Sequence, residues 1–241
     1  MSVRFSKIGK TITLSQEIEI QIEDVIRKKE YNTGDKLPSE MEMCAMFGVS
    51  RTALREALRM LSARGLINIR KGSGIYVSDF TAQNVARPMR LYLELNLDKE
   101  YIIHVIEARK LLEPKIAYMA ALNRSSEDLN LLYENLIDFG KCRKNDFKKE
   151  GNLDRQFHLI IAKATGNKVF PLIVDPIFHL MPRIRTMVYA QIDKARSSAL
   201  EYHQKIYKAL EEKDADKAYE TMMKHLQIAM EHSEEIVETL D

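Results

Sequence analysis

The sequence predicts a mainly α-helical protein in two parts, an N-terminal winged helix-turn-helix followed by a C-terminal all-helical antiparallel bundle. Three observations carry that expectation. Apolar residues recur at helical spacing along most of the chain, strand-like alternation is confined to the short stretch "LINIRKGSGIYV", and the charge balance changes sign partway. Residues 1–78 hold 13 Lys and Arg against 9 Asp and Glu, while the remainder holds 24 against 26, so +4 is followed by −2 within an overall +2.

Composition narrows the class. With 241 residues, 45% hydrophobic and 30% charged, the chain is long enough for two domains that each bury a core. Cys44 and Cys142 are too few for a disulfide framework or a thiolate zinc cluster, which suits a reducing compartment and leaves any metal to His and carboxylate ligands. No stretch approaches the length of a membrane span, and "MSVRFSKIGKTITLSQ" lacks the apolar core of a secretory leader, so a cytoplasmic protein is expected.

The first helix is predicted over residues 14–29, where Leu14, Ile18, Ile22, Val25 and Ile26 share a face, and "YNTGDKLPSE" ends it with Gly34 and Pro38. Ser39 is placed to cap a second helix, with Glu42 at the capping-box position and Gly48 as its stop. Ser50 then caps a third, "RTALREALRMLSARG". Its Leu54, Ala57, Leu58 and Leu61 turn inward while Arg51, Thr52, Arg55 and Arg59 turn out. Two short strands around a glycine-rich turn follow, with Arg70 and Lys71 at the tip. Residues 51–71 carry six basic side chains against the single acid Glu56, a balance suited to a polyanion. In a winged helix-turn-helix the second helix of the pair enters the major groove, where Arg reads guanine, and the wing follows the backbone or minor groove.

"GDKLPSEMEMCAMFGVSRTALREALRMLSARGLINIRKGSGIYV" resembles the DNA-binding domain of the GntR family of bacterial transcription regulators, through LPSE, GVSR, REAL and GL, over residues 14–77. The resemblance implies that Arg51 and Arg55 make the main base or phosphate contacts, supported by Ser50 and Thr52, with Lys71 and Gly72 contributing from the wing. It also implies an operator that is a short inverted repeat in double-stranded DNA, bound by a homodimer. One position departs from the family: an arginine commonly follows LPSE, and Met41 stands there instead. Either the operator differs at that base or binding leans more on Arg51 and Arg55.

The division expected is a DNA-binding domain over 1–78, a linker over 79–97 with Pro88 and no clear period, and a helical domain over 98–241. Breaks at "NRSSED", near "CRKNDF", at "ATGNKVF" and at "EEKDAD" suggest about six helices in the last part. Ionisable residues intrude on its apolar faces: Arg109 beside Val105, Leu112 and Ile116, Asp154 and His158 beside Phe157 and Ile161, His203 beside Ile206 and Leu210, His225 beside Met222 and Leu226. Buried charges need partners. His203 and His225 are equidistant from residue 214 in the polar turn, so a hairpin folded there sets each about 16 Å from the turn and opposite the other. Asp154 and His158 present two more ligands from one helix face. One carboxylate and three imidazoles suit Zn²⁺, Ni²⁺ or Mn²⁺ without choosing among them, and a lone core histidine is more often hydrogen-bonded than metal-bound.

"EARKLLEP", "DRQFHLIIAKATGN" and "YHQKIYKALEEKDADKAYETMMKHL" resemble the helical effector domain, of FCD type, in the FadR branch of the GntR family. By that resemblance Asp154, His158, His203 and His225 hold a divalent metal, and a small organic acid sits beside it, clamped by an arginine from the first helix, which Arg109 matches. An internal ion pair with Glu113 is the alternative for Arg109. Arg183 and Arg185, after an expected kink at Pro182, and Asn167 are further candidates for the cavity wall, whereas His104, His179 and His232 read as ordinary helix or surface residues. The expected function is therefore a ligand-responsive transcription regulator. The alternatives are a regulator that senses the metal itself and a metal-dependent enzyme, the last disfavoured because no further general base accompanies the four ligands and chemistry would not require the winged helix.

Overall fold

The computed structural model describes residues 12–143 and 146–239; the first eleven residues, on which part of the leader reading falls, lie outside them. Two compact units divide between Asn84 and Val85.

In the first unit, α1 (Leu14–Arg27) begins in a capping box made by Thr13 and Gln16, and it buries Ile18 and Ile22. α2 (Glu40–Phe47) starts in the Ser39–Glu42 capping box and stops at Gly48, whose φ of 64° is left-handed. Ser50 caps α3 (Arg51–Ala63), which turns Leu54, Ala57, Leu58 and Leu61 into the core. β1 (Ile67–Arg70) pairs antiparallel with β2 (Gly74–Val77), Ile67 opposite Val77. Ile67, Ile75 and Val77 close the core against α1 and α3. Arg64 ties α3 to α1 through Glu19 and, at 2.8 Å, Glu23.

The expected linker is largely helical. α4 (Ala82–Leu95) runs through Pro88 and buries Ala86 and Leu93, two turns apart. Its period is masked in the sequence because Val85, Met89, Leu91, Tyr92 and Leu95 are exposed, which spreads apolar residues over both faces.

Among the described residues, seven helices follow α4, one more than expected: α5 (Lys99–Asn123), α6 (Ser126–Gly140), α7 (Phe147–Ala164), α8 (Val169–Phe178), α9 (Met181–Gln191), α10 (Asp193–Glu211) and α11 (Ala215–Thr239). Pro182 opens α9 rather than kinking a longer helix, in keeping with the missing N–H being harmless in a first turn. α5 lies along α11, and α7 is surrounded by α5, α6, α8 and α9. The approach of α7 to α9 needs Gly151, where a Cβ would stand 2.6 Å from Pro182 Cα. This packing puts the face of α7 that carries Asp154 and His158 at the centre of the bundle. No helix is long and apolar enough to cross a membrane among the described residues.

Candidate metal centre and nucleic-acid interface

Asp154 and His158 on α7, His203 on α10 and His225 on α11 are buried together, and one ligand atom from each lies within 4.8 Å of the others. His203 Nε2 is 3.5 Å and His158 Nε2 is 4.0 Å from Asp154 Oδ1. Asp154 Oδ1 and the Nε2 atoms of all three histidines have no hydrogen-bond partner. Each unmet buried polar atom costs about 1–3 kcal/mol, so four around one point call for a common partner. A divalent ion about 2.0–2.2 Å from each would set the ligand atoms roughly 3–4 Å apart, so the residues fit such an ion.

The electrostatics prepare the set for that role. Burial pushes the His203 imidazole well below its usual pKa, and Asp154 only partly opposes it. Burial does the same to His225, reinforced by the positive charges of Arg185 and Arg109. Both rings are thus neutral, with a lone pair to offer. Burial would raise the Asp154 carboxyl, but the positive charges around it, Arg185 foremost, outweigh it and hold the group well below the usual carboxylate range. The Phe157 ring stacks on His203 at 4.0 Å between centroids and fixes its plane.

A second layer of partners aims the ligands. Glu113 Oε2 lies 2.6 Å from His158 Nδ1, which leaves Nε2 turned toward the cluster. Arg185 Nε donates to Asp154 Oδ2 at 3.2 Å, which commits one carboxylate oxygen and leaves Oδ1 for the cluster. Arg109, buried on α5, is engaged by the same Glu113 and reaches Met181 Sδ at 2.9 Å. The structure thus contains the internal ion pair that was the alternative for Arg109. Burial alone would raise the Glu113 carboxyl, yet Arg109 and His158 bring it down to about 2.

Other expected residues fall elsewhere. Asn167 is exposed in the turn between α7 and α8, where its Oδ1 accepts from the Val169 N–H at 2.9 Å, so it organises a helix start and not the cluster. Arg183 is exposed, whereas Arg185, two residues on, points inward. Arg185, Ser198, His225 and His232 line a cavity of about 10 Å³, room for roughly one water. Sequence reasoning missed Glu113 as the partner of His158, and His232 and Ser198 as cavity lining. The first lies 45 positions from its imidazole, and no local spacing links the two.

In the first unit, Arg51, Thr52 and Arg55 are exposed on α3 opposite its buried face, and the Ser50 Oγ accepts from the Ala53 N–H at 3.3 Å. Arg55 Nε donates to Glu40 Oε2 at 2.8 Å. Met41 is 68% exposed. At the hairpin tip Lys71 and Gly72 are exposed, Gly72 has a φ of 75° that favours glycine, and the Arg70 guanidinium sits 4.6 Å from the Tyr76 ring centroid.

A basic three-helix module with a hairpin, followed by a helical domain with a buried ligand set, defines a DNA-binding transcription regulator. Residues 14–77 match "Bacterial regulatory proteins, gntR family", and residues 104–228, more than half the chain, match the FCD domain. The chain belongs to the GntR family, in the branch that carries an FCD domain. It is 33% identical to the Uxu operon transcriptional regulator of Escherichia coli, over 88% of this chain and 83% of that one. It is 29% identical to the putative L-lactate dehydrogenase operon regulatory protein of the same organism, over 88% and 83%. A solved structure of a Streptococcus agalactiae GntR superposes with a TM-score of 0.66 at 28% identity, covering 90% of this chain and 99% of that one.

Proposed function

We propose that this regulator is responsive to a small carboxylate effector bound beside a divalent metal in its helical domain, and that it binds a short inverted repeat as a homodimer. The observation that carries the reading is the convergence of four buried, unpartnered ligand atoms from three helices. Asp154 would hold the metal through Oδ1, and His158, His203 and His225 through Nε2, with Zn²⁺ foremost and Ni²⁺ or Mn²⁺ as the other candidates. When bound, the metal supplies positive charge and open positions at which a carboxylate oxygen can bind. Arg185 orients Asp154 and lines the cavity, and it takes the anion-facing place that Arg109, engaged with Glu113, leaves. On the DNA side, Arg51 and Arg55 contact bases or phosphates, Ser50 and Thr52 support them, and Lys71 and Gly72 contact the backbone from the wing. The exposed apolar side chains of α4 are consistent with a second copy of the chain covering them.

A second reading, in which the metal itself is the signal, is favoured by the small volume of the cavity. One experiment separates the two. The protein is stripped with a chelator, reloaded with Zn²⁺, Ni²⁺ or Mn²⁺, and its binding to a duplex selected from a randomised pool is measured with and without L-lactate and other small carboxylates. A shift that needs both metal and acid supports the effector reading, and a shift with metal alone supports the second. If the protein takes up no metal at all, both readings fail.

A further inference from the structure

We propose that Glu40 is the residue that positions Arg55 for base readout, so that it sets sequence discrimination rather than overall DNA affinity. The inference rests on Arg55 being a DNA contact, as proposed above. Glu40 is the first residue of α2, where the positive end of the helix dipole favours a carboxylate. The helix is itself held by the Ser39–Glu42 capping box and by the buried Met43, so Glu40 projects from a fixed base. Its Oε2 accepts a hydrogen bond from the Nε–H of Arg55, fifteen positions along the chain, at 2.8 Å. With Nε engaged, the edge formed by Nη1 and Nη2 is the pair of donors left for DNA, and the O6 and N7 atoms of a guanine are spaced for such a pair.

Stability does not explain the contact. The two side chains are 58% and 34% exposed, and an ion pair in that setting contributes little to folding. Affinity does not explain it either, because a carboxylate on a polyanion-facing surface repels phosphates. What the pair does supply is order: Arg carries a large rotamer entropy, and one anchored donor removes much of it before DNA arrives. Glu42 is committed to the Ser39 N–H, and the neighbouring Met41 is uncharged, so α2 offers Glu40 no adjacent cation in place of Arg55.

The two explanations of Glu40 predict opposite outcomes. A duplex selected from a randomised pool by the wild-type chain, each of its single-base variants, and an unrelated duplex are titrated with wild type, Glu40→Gln, Arg55→Ala and the double variant. Arg55→Ala should weaken binding to the selected duplex and flatten the preference at one base pair. Glu40→Gln should lower the melting temperature by no more than a few degrees and bind the unrelated duplex no more weakly than wild type, while its discrimination at that same base pair falls about tenfold, a loss within the range of one bidentate contact. In the double variant Glu40→Gln should add nothing to Arg55→Ala. Equal changes on selected and unrelated duplexes would mean that Glu40 acts by charge alone, and additive effects would mean that it does not act through Arg55. Either result overturns the inference, and unaltered discrimination in Arg55→Ala removes the reading beneath it.

Discussion

Glu113→Gln tests the buried network around the cluster most directly. Glu113 and Arg109 are each 2% exposed, and Glu113 also faces His158 Nδ1. Lowering this carboxyl from 4.5 to about 2 corresponds to roughly 3 kcal/mol of stability. That agrees with the about 3–5 kcal/mol lost when one partner of a buried pair is removed. The sign is that of a depressed carboxylate: the contribution is complete at neutral pH and is lost as pH falls from 4.5 toward 2. For a unit spanning residues 85–241 each kcal/mol moves the melting temperature by about 2–4 °C, so Glu113→Gln should lower it by roughly 6–20 °C. Gln is expected toward the lower end, since its amide oxygen still accepts from Arg109. Far-UV circular dichroism melts read this effect, and competition with a chromophoric chelator reads a second one. Without the carboxylate on Nδ1, His158 is a weaker and less well oriented ligand, and metal affinity should fall about 10–100-fold. Adding Arg109→Met should recover stability but not metal affinity. A melting temperature within about 1 °C of wild type would refute the buried ion pair, and unchanged metal affinity would refute the orienting role.

Three further outcomes are expected. Supplying Zn²⁺, Ni²⁺ or Mn²⁺ to chelator-stripped protein at about 100 times its dissociation constant should stabilise the helical domain by about 2.7 kcal/mol, and His203→Ala or His225→Ala should abolish the gain; an unmoved melting curve for all three ions would count against the site. In metal-free protein His203 and His225 stay neutral in the fold, while their unfolded forms take up protons below 6.5. The unfolded state then binds more protons, so stability to urea should fall as pH drops below that value, by up to about 1.4 kcal/mol per pH unit for each histidine, and a flat profile would show that they ionise in place. Gly151→Ala sets a Cβ against the Pro182 backbone, which has no flexible end to yield. It should cost about 1–3 kcal/mol and, by parting α7 from α9, loosen the Arg185–Asp154 contact, as read by melting temperature and metal affinity together.

Legibility in the sequence followed the range of the interaction. Thr13, Ser39 and Ser50 each cap a helix through an N–H three residues away, and Gly48 and Gly72 turn the chain locally, so the winged module is legible from spacing and turn chemistry. Hairpin symmetry about residue 214 pairs His203 with His225, and their ring centroids stand 4.9 Å apart. α4 is not legible as a helix because its exposed apolar residues hide the stripe formed by Ala86 and Leu93.

The sequence by itself determined the helical class, the winged module with its basic face, and four ligand types at helical intervals, because each follows from the period of one element or the chemistry of one turn. Only the tertiary structure decided that Glu113 serves both Arg109 and His158, that Arg185 and not Arg183 turns inward, that Asn167 stays in its turn, and that Glu40 meets Arg55. Glu113 and His158, Arg185 and Asp154, and Glu40 and Arg55 lie on different elements, and which of them meet depends on helix rotation and on close approaches such as Gly151 against Pro182, set by packing of the whole core rather than by any local pattern.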